Sequence, residues 1–109
     1  MGFGNWEIQL RKGVLDLAIL NQLRRKRSHG YELVQELKKM DGLEMREGNI
    51  YAILTRLAAE GLVRSETEPS KDGPPRKYFQ LTEAGENTLK EMNLHWDSIL
   101  RSIDFIRRG

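Results

Sequence analysis

Apolar residues recur every three or four positions in the first part of the chain, which is the spacing of one helix face. The pattern covers about residues 8–27 and returns over about residues 29–40. Ser28 suits the N-cap of the second helix, and Gly42 suits the left-handed residue that follows a helix end. The chain is therefore predicted to begin with two helices separated by a tight turn.

A third helix, predicted over about residues 49–60, has an unusual outer side. Its apolar residues fall on one face when successive residues are placed about 100° apart. The opposite face carries mostly short or polar side chains, namely Ala52, Thr55, Arg56 and Ala59. Such side chains let a helix backbone come close to another surface, so this face is predicted to contact a partner.

After Gly61 the pattern changes to the alternation of apolar and polar residues that is typical of strands. The alternation covers residues 62–68 and 76–81, and Lys71-Asp72-Gly73 between them is a turn signal. All three prolines of the chain lie in this region. The segment is predicted to form a two-stranded hairpin with a basic, proline-rich tip.

Residues 82–109 are predicted to form one long helix, with Thr82 as its N-cap and Glu83 in its first turn. Its apolar residues return after three and four positions in turn, as do the a and d positions of a heptad repeat. Two helices pack along such a seam, so we expect a homodimer whose contacts come from Leu89, Met92, Trp96, Ile99, Ile103 and Ile106.

Three helices, a hairpin and a long helix are the layout of a winged helix-turn-helix with a C-terminal arm. The predicted fold class is mainly α (α+β), with a DNA-binding domain over residues 1–81 and a dimerisation helix over residues 82–109. In this fold the third helix enters the major groove of double-stranded DNA, and the hairpin, or wing, contacts the backbone beside it. The methyl groups of Ala52 and Thr55 can then meet the methyl group of thymine.

Four segments carry a resemblance to known proteins: LRKGVLDLAIL, HGYELVQEL, GNIYAILTRLAAEGLV and GPPRKYFQLTEAG. They are similar to the PadR family of transcriptional regulators, in the small subgroup with one C-terminal helix. The resemblance covers about residues 10–90. It implies a dimeric DNA-binding repressor that dimerises through the last helix with help from the first. In some members of the family, phenolic or planar hydrophobic compounds relieve repression.

The chain departs from the family pattern in two places. The family usually has Ser-Pro-Gly-Thr before the third helix, where this chain has Arg46-Glu47-Gly48-Asn49. Arg46 has no side-chain acceptor and cannot cap the helix as Ser does. The tip of the wing usually reads Gly-Arg-Pro-Arg, and here it has one cation fewer, Gly73-Pro74-Pro75-Arg76.

Several residues are candidate DNA contacts, each with a plainer alternative. Arg56 is predicted to contact a phosphate or guanine, or else to be a solvated surface residue. Asn49 is predicted to pair with adenine or a phosphate, or else to act as a local cap. The remaining candidates for phosphate contact, which are otherwise packing or solvated residues, are Tyr31, Tyr51, Lys71, Arg76 and Lys77. The basic run at residues 24–27 suits either a helix C-terminus or a phosphate-binding patch.

Trp96 is large for the a position of a tight two-helix seam. Two such indoles that face each other across a dimer axis form a flat apolar slot, which suits a planar aromatic effector. The predicted ligand contacts are therefore Trp96, Met92 and Ile99, and the alternative is a tryptophan that simply packs inside the dimer. The resemblance points the same way, since one multidrug-sensing branch of PadR-like proteins has a tryptophan in this helix.

The composition narrows the remaining classes of protein. There are no cysteines and only two histidines, so we expect no metal and no other cofactor. No catalytic set of side chains is evident, and an enzyme is not expected. No apolar run reaches the length of a membrane span, which favours a cytoplasmic protein. The net charge of +2 permits DNA binding without requiring it. The main alternative function is a winged-helix protein-interaction module without DNA binding.

Overall fold

Seven elements follow one another in the computed structural model, which describes all residues from 1 to 109. They are α1 (Gly2–Arg25), β1 (Ser28–His29), α2 (Gly30–Lys38), α3 (Glu47–Ala59), β2 (Val63–Ser70), β3 (Gly73–Leu81) and α4 (Glu83–Arg108). The predicted mainly helical winged helix-turn-helix with a long C-terminal helix is confirmed. One strand more is present than the sequence pattern predicted.

The core lies where the apolar faces of the first three helices meet. Each helix contributes side chains from the stripe that its periodicity defines, and these are almost fully removed from solvent. The sheet adds Val63 and Phe79, and α4 adds Leu89 from its second turn. The helical contributions to this cluster are Ile19, Leu20, Leu23, Leu33, Val34, Leu37, Ile50, Leu54 and Leu57.

The sheet has three antiparallel strands in the order β1-β3-β2. The unexpected strand, β1, pairs Ser28 with Phe79 and His29 with Tyr78. Two residues are too few to show an alternating pattern, so this strand could not be predicted from periodicity. Arg27, just before β1, lies 4.4 Å above the ring of Tyr78 and pairs with Glu68 at 2.6 Å.

The start of α2 differs from the sequence expectation. Ser28 is buried and its hydroxyl donates to the carbonyl of Lys26, so its assignment as the N-cap was wrong. The cap is His29, whose Nδ1 accepts from the N–H of Glu32 at 3.2 Å. The carboxylate of Glu32 accepts in return from the N–H of His29 at 3.1 Å, which completes a capping box. The first helix correspondingly ends at Arg25 and not at residue 27, because Lys26 is extended.

The first turn of α4 is fixed to the segment that follows α3. The Thr82 hydroxyl donates to the carbonyl of Gly61 at 2.6 Å, and its N–H donates to the carbonyl of Leu62 at 3.1 Å. A Cβ on Gly85 would lie 1.9 Å from the Leu62 oxygen. Only glycine therefore permits this approach, and the predicted cap at Thr82 is present, with the Gly85 N–H donating to the Thr82 hydroxyl.

The distal half of α4 leaves the body of the molecule, which measures 56 × 33 × 22 Å. Ile99, Ile103 and Ile106 are exposed along it. The N-terminal half of α1 likewise exposes apolar side chains, among them Phe3, Trp6 and Ile8. None of the helices has the length and apolar character needed to cross a membrane.

Candidate nucleic-acid interface

The N-terminus of α2, one side of α3 and the wing (β2, β3 and their turn) meet around an open pocket. Its volume is about 370 Å³, and the residues that line it are His29, Tyr31, Tyr51, Pro75, Arg76 and Lys77. Four of them had been singled out from the sequence as candidate phosphate contacts. The fold therefore brings together Tyr31, Tyr51, Arg76 and Lys77 from three separate elements.

Tyr51 reaches this pocket because Gly30 has no side chain. A Cβ on Gly30 would lie 2.5 to 2.7 Å from atoms at the hydroxyl end of the Tyr51 ring. The ring thus lies against the first turn of α2 while the residue stays 39% exposed. Tyr31 is more exposed and stacks on His29 with parallel rings. The contact that packs α2 against α3 here is made by Tyr51 and not by Tyr31.

The outer side of α3 is open to solvent at Asn49, Ala52 and Thr55. The side chain of Asn49 makes no hydrogen bond within the chain, and α3 has no side-chain cap at Arg46. The local-cap alternative for Asn49 is therefore not seen. Asn49 and Ala52 also border a groove of about 510 Å³ against α1. The cations of α1 in this groove, Arg11 and Lys12, were not predicted as site residues.

Arg56 is turned towards α1 instead of standing free. Its guanidinium is 2.6 Å from the carboxylate of Asp16 and 3.2 Å from that of Glu60. The hydrogen bond and charge of Asp16, followed by those of Glu60, raise the pKa of Arg56 further above its usual value. In the chain without DNA, Arg56 is thus held in two ion pairs and is not a free solvated side chain. To contact DNA it would have to exchange one of these partners.

The basic run at residues 24–27 is divided between two roles. Arg24 and Arg25 are exposed in the last turn of α1. Lys26 and Arg27 instead bind acidic side chains of the chain itself, with Lys26 at 3.0 Å from Glu32. Burial raises the pKa of Glu32, but the hydrogen bonds from the His29 N–H and from Lys26 outweigh it and the pKa lies below its usual value. The same hydrogen bond to Glu32 raises the pKa of Lys26.

The wing presents the remaining predicted cations. Lys71 at the turn and Lys77 on β3 are exposed and form no ion pair within the chain. Arg76 places its Nη1 2.8 Å from Nε2 of His29. His29 was missed as a site residue by the sequence analysis. The spacing of His29 and Glu32, which matches that of a capping box, was the signal that would have placed it at this junction.

A second groove lies between α1 and α4, on the side of the molecule that carries Trp96. It encloses about 430 Å³ and brings together Met92, Trp96 and Ile99, the three predicted ligand contacts. Leu10, Val14 and Leu17 of α1 form its other wall. These α1 residues were not predicted, although they extend the apolar stripe of that helix. Leu89, by contrast, is only 1% exposed inside the chain's own core, so its assignment to a dimer contact was wrong.

A helix-turn-helix followed by a two-stranded wing defines the winged-helix class of protein. Comparison with known proteins then identifies the family. The model of the PadR-like family of transcriptional regulators matches residues 19–91. The chain belongs to this family.

Individual relatives cover nearly the whole chain. A transcriptional regulator of Mycobacterium tuberculosis is 30% identical over 95 residues, which are 87% of each chain. The X-ray structure of a PadR-like transcription factor from Bacteroides fragilis is 35% identical with a TM-score of 0.80, covering 94% of this chain and 98% of that one. A PadR-like regulator from Bacillus cereus is 33% identical with a TM-score of 0.83, covering 93% and 98%. These proteins are regulators of transcription and not enzymes.

Proposed function

We propose that the protein is a dimeric repressor that binds double-stranded DNA through α3, the N-terminus of α2 and the wing. The observation that carries the proposal is the meeting of these three elements on one side of the molecule, with Tyr31, Tyr51, Arg76 and Lys77 around one pocket. The side chains come from distant parts of the sequence, yet all of them are suited to phosphate contact. The cytoplasm is the compartment in which this function would be performed.

The side of α3 that carries Ala52 and Thr55 supports insertion into the major groove. An α-helix with its side chains is about 10–12 Å across, and the groove is about 12 Å wide. A helix face with short side chains reaches the base edges without a clash, and Asn49 in its first turn has an amide free to pair with adenine. Thr55 and Ala52 are placed to contact thymine methyl groups.

Dimerisation is supported by the exposed apolar residues of α4 and α1. Ile99, Ile103 and Ile106 continue the heptad beyond the core, and they are 41%, 51% and 73% exposed. Burying apolar surface of this kind stabilises association by about 25 cal/mol per Å² before the costs of binding. In this proposal residues 1–81 bind DNA and residues 82–109 join the two copies.

The groove beside Trp96 supports a small planar aromatic or phenolic effector. Its walls are mostly apolar, and an indole offers a flat surface for stacking. An effector relieves repression only if it binds better to a dimer in which the two α3 helices are wrongly spaced for DNA. Fluorescence of Trp96, measured with planar dyes after Trp6 is replaced by Phe, tests this part of the proposal. A tryptophan signal that no dye changes, in a protein that still dimerises, would contradict it.

The test of DNA binding is the salt dependence of affinity for a duplex that the protein selects from a random-sequence library. With three to five cationic phosphate contacts per protomer, log K is expected to fall with log salt at a slope of about −5 to −9. Sedimentation of the complex gives its stoichiometry, expected to be two chains per duplex. Affinity that stays flat between low and physiological salt, or tight binding by one chain alone, would contradict the proposal.

A protein-interaction module without DNA binding is the alternative. The unpaired cations Lys71 and Lys77 on the wing favour DNA over this alternative, because a surface that binds only protein has no need of free positive charge at that tip. The same duplex selection separates the two functions, since an interaction module would enrich no sequence.

A further inference from the structure

The role of His29 as the cap of α2 determines which nitrogen of its ring carries the hydrogen. A backbone N–H can only donate, and the Glu32 N–H donates to Nδ1 of His29 at 3.2 Å. A neutral imidazole carries one hydrogen, so in this ring the hydrogen is on Nε2. The cap therefore fixes Nε2 of His29 as a donor.

This donor faces a second donor. Nη1 of Arg76 lies 2.8 Å from Nε2 of His29, and a guanidinium has no acceptor. With the hydrogen of His29 on Nε2, as the cap requires, this contact brings two N–H donors together and has no acceptor between them. Such an arrangement is stabilised when a third group, with lone pairs, accepts from both.

The chain itself supplies no such acceptor. The nearest carboxylate oxygen, Oε1 of Glu32, is 3.4 Å from Nε2 but forms no hydrogen bond with it, and it accepts from the N–H of His29 instead. The other oxygen of Glu32 accepts from Lys26 at 3.0 Å. His29 is 7% exposed, and its ring borders the open pocket.

The surroundings of the two donors suit an anion. Lys77 adds a second positive charge to the pocket, and Tyr31 and Tyr51 line it with rings whose hydroxyls make no hydrogen bond within the chain. Glu32 is the negative charge closest to His29, and Lys26 is paired with it. An oxyanion in this pocket thus meets two converging N–H donors and a net positive charge.

We propose that His29 Nε2–H and Arg76 together bind one phosphate of the DNA backbone, so that His29 is a DNA-binding residue as well as the cap of α2. The proposal rests on the proposed function, and it names a residue of that interface. It also joins the wing to α2, since the phosphate connects Arg76 of β3 to the ring that caps the helix.

Two substitutions separate the two jobs of the ring. In His29→Asn the amide oxygen takes the position of Nδ1 and keeps the cap, but the donor towards Arg76 is lost. In His29→Gln the longer amide brings an N–H near the position of Nε2, but the cap is lost. Because both remove the aromatic ring, each controls for the lost packing of the other.

Affinity for DNA is measured on the selected duplex and on a random-sequence duplex, since a phosphate contact acts on both. His29→Asn is expected to bind both at least about a hundredfold more weakly, because each of the two protomers loses one hydrogen bond to a charged group. His29→Gln is expected to bind DNA better than His29→Asn. In the absence of DNA, however, the melting temperature of His29→Gln is expected to be about 5 °C below that of His29→Asn, because the cap is lost.

The salt slope distinguishes this contact from an ion pair. A neutral histidine releases no counterion, so His29→Asn keeps the wild-type slope, whereas Arg76→Gln makes it shallower by about 0.9 per protomer. In the Arg76→Gln background, His29→Asn is expected to cause a much smaller further loss, because both donors serve the same phosphate.

Three results would overturn the proposal. The first is wild-type affinity in a folded His29→Asn variant. The second is an imidazole nitrogen spectrum of the wild-type protein that places the hydrogen on Nδ1, which needs no variant to fold. The third is a wild-type protein that binds no duplex at any salt concentration, which removes the proposed function too. A wild type that binds with a steep salt slope, beside a His29→Asn variant that binds equally well, overturns only the role of His29.

Discussion

Gly30 and Tyr51 show how a single missing side chain shapes the interface. The ring of Tyr51 occupies the place that a Cβ at residue 30 would take, so the missing side chain lets Tyr51 of α3 lie against the first turn of α2. The sequence segment HGYEL thus contains two residues of direct consequence, His29 for the cap and Gly30 for the approach of Tyr51. The periodicity of α2 predicts neither the capping role of His29 nor the close approach of Tyr51 to Gly30.

Gly30→Ala is expected to destabilise the fold by at most about 1 kcal/mol, because the added methyl group meets only the far end of the Tyr51 side chain, which is 39% exposed and can turn away. Gly48→Ala is the matched control. It lies in the first turn of α3, and a Cβ there would meet no atom within 4 Å. Urea denaturation at one protein concentration measures both. Equal stability of the two variants would show that the ring yields without cost.

Glu32 makes the stability of the fold sensitive to acid. Its pKa is lowered in the native state, so the unfolded chain, with a glutamate pKa of about 4.3, takes up the proton first as the pH falls. The stabilisation is complete above that value and is lost as the pH drops through the lower native pKa. Glu32→Gln, which keeps an acceptor for the His29 N–H, is expected to lose less stability than wild type below about pH 4.3.

Unfolding free energies from pH 3 to 6 measure this, with Glu44→Gln in an exposed loop as control. Parallel curves for wild type and Glu32→Gln would contradict it.

At the scale of the elements, the sequence predicted every helix and the wing because each has its own local period. It missed β1 since two residues show no period, and it placed the α2 cap one residue early because Ser is the more usual capping residue. The candidate DNA-binding site was predicted only in part, because only some of its residues follow from local patterns. Outward positions on α3 and cations on the wing follow from local patterns, but the partners of Arg56 and His29 lie 40 and 47 residues away in the sequence. The spacing of residues along one element does not show which side chains of another element lie beside it in the fold.

Arg56 connects α3 to α1 through Asp16. A pair of substitutions tests whether this ion pair or a contact of Arg56 with DNA matters for binding. Arg56→Ala is expected to cost less than about 1 kcal/mol of stability, as is usual for exposed ion pairs. If Arg56 exchanges Asp16 for DNA on binding, Arg56→Ala weakens binding by about 1–3 kcal/mol, and Asp16→Asn leaves it equal or stronger. Fluorescence anisotropy with the selected duplex measures both. Weaker binding by Asp16→Asn would show instead that the ion pair must persist in the complex.

At the scale of the whole molecule, the exposed apolar residues form two sets, on α1 and on α4, which meet only in part, as at Leu10 and Ile99 in the groove beside Trp96. The first half of α1 and the second half of α4 both extend past the core. Within α4 the heptad positions Ile99, Ile103 and Ile106 lie on one side of the helix, and Leu94 lies on the other. The two sides allow dimerisation to be tested with a matched pair.

Ile103→Asp is expected to convert the dimer to monomer, because a carboxylate buried in an apolar seam loses its hydration without a partner. Leu94→Asp places the same charge on the opposite side of α4 and is expected to leave the dimer intact. Sedimentation equilibrium measures both. A monomer produced equally by the two substitutions would place the contact elsewhere.

Gly85→Ala tests the connection between α4 and the end of α3. The added Cβ would lie 1.9 Å from the backbone oxygen of Leu62, which cannot rotate away as a side chain can. The first turn of α4 must therefore move, and we expect DNA affinity to fall at least tenfold, equivalent to about 1.4 kcal/mol, while the dimer persists. Asn87→Ala, at an exposed position nearby on α4, is the control. Undiminished DNA binding by Gly85→Ala would show that the junction tolerates a shift.

That junction makes α4 a rigid helix that is fixed at its first turn, so that the helix can turn about this point. The helix has 26 residues, so it is about 39 Å long. Since its first turn is held by Gly61 and Leu62, an angular change of about 5° at that pivot corresponds to about 3 Å at the far end. Under the proposed function, a planar effector in the groove beside Trp96 is therefore expected to change the separation of the two α3 helices by turning α4 about this junction, without a change inside either DNA-binding domain.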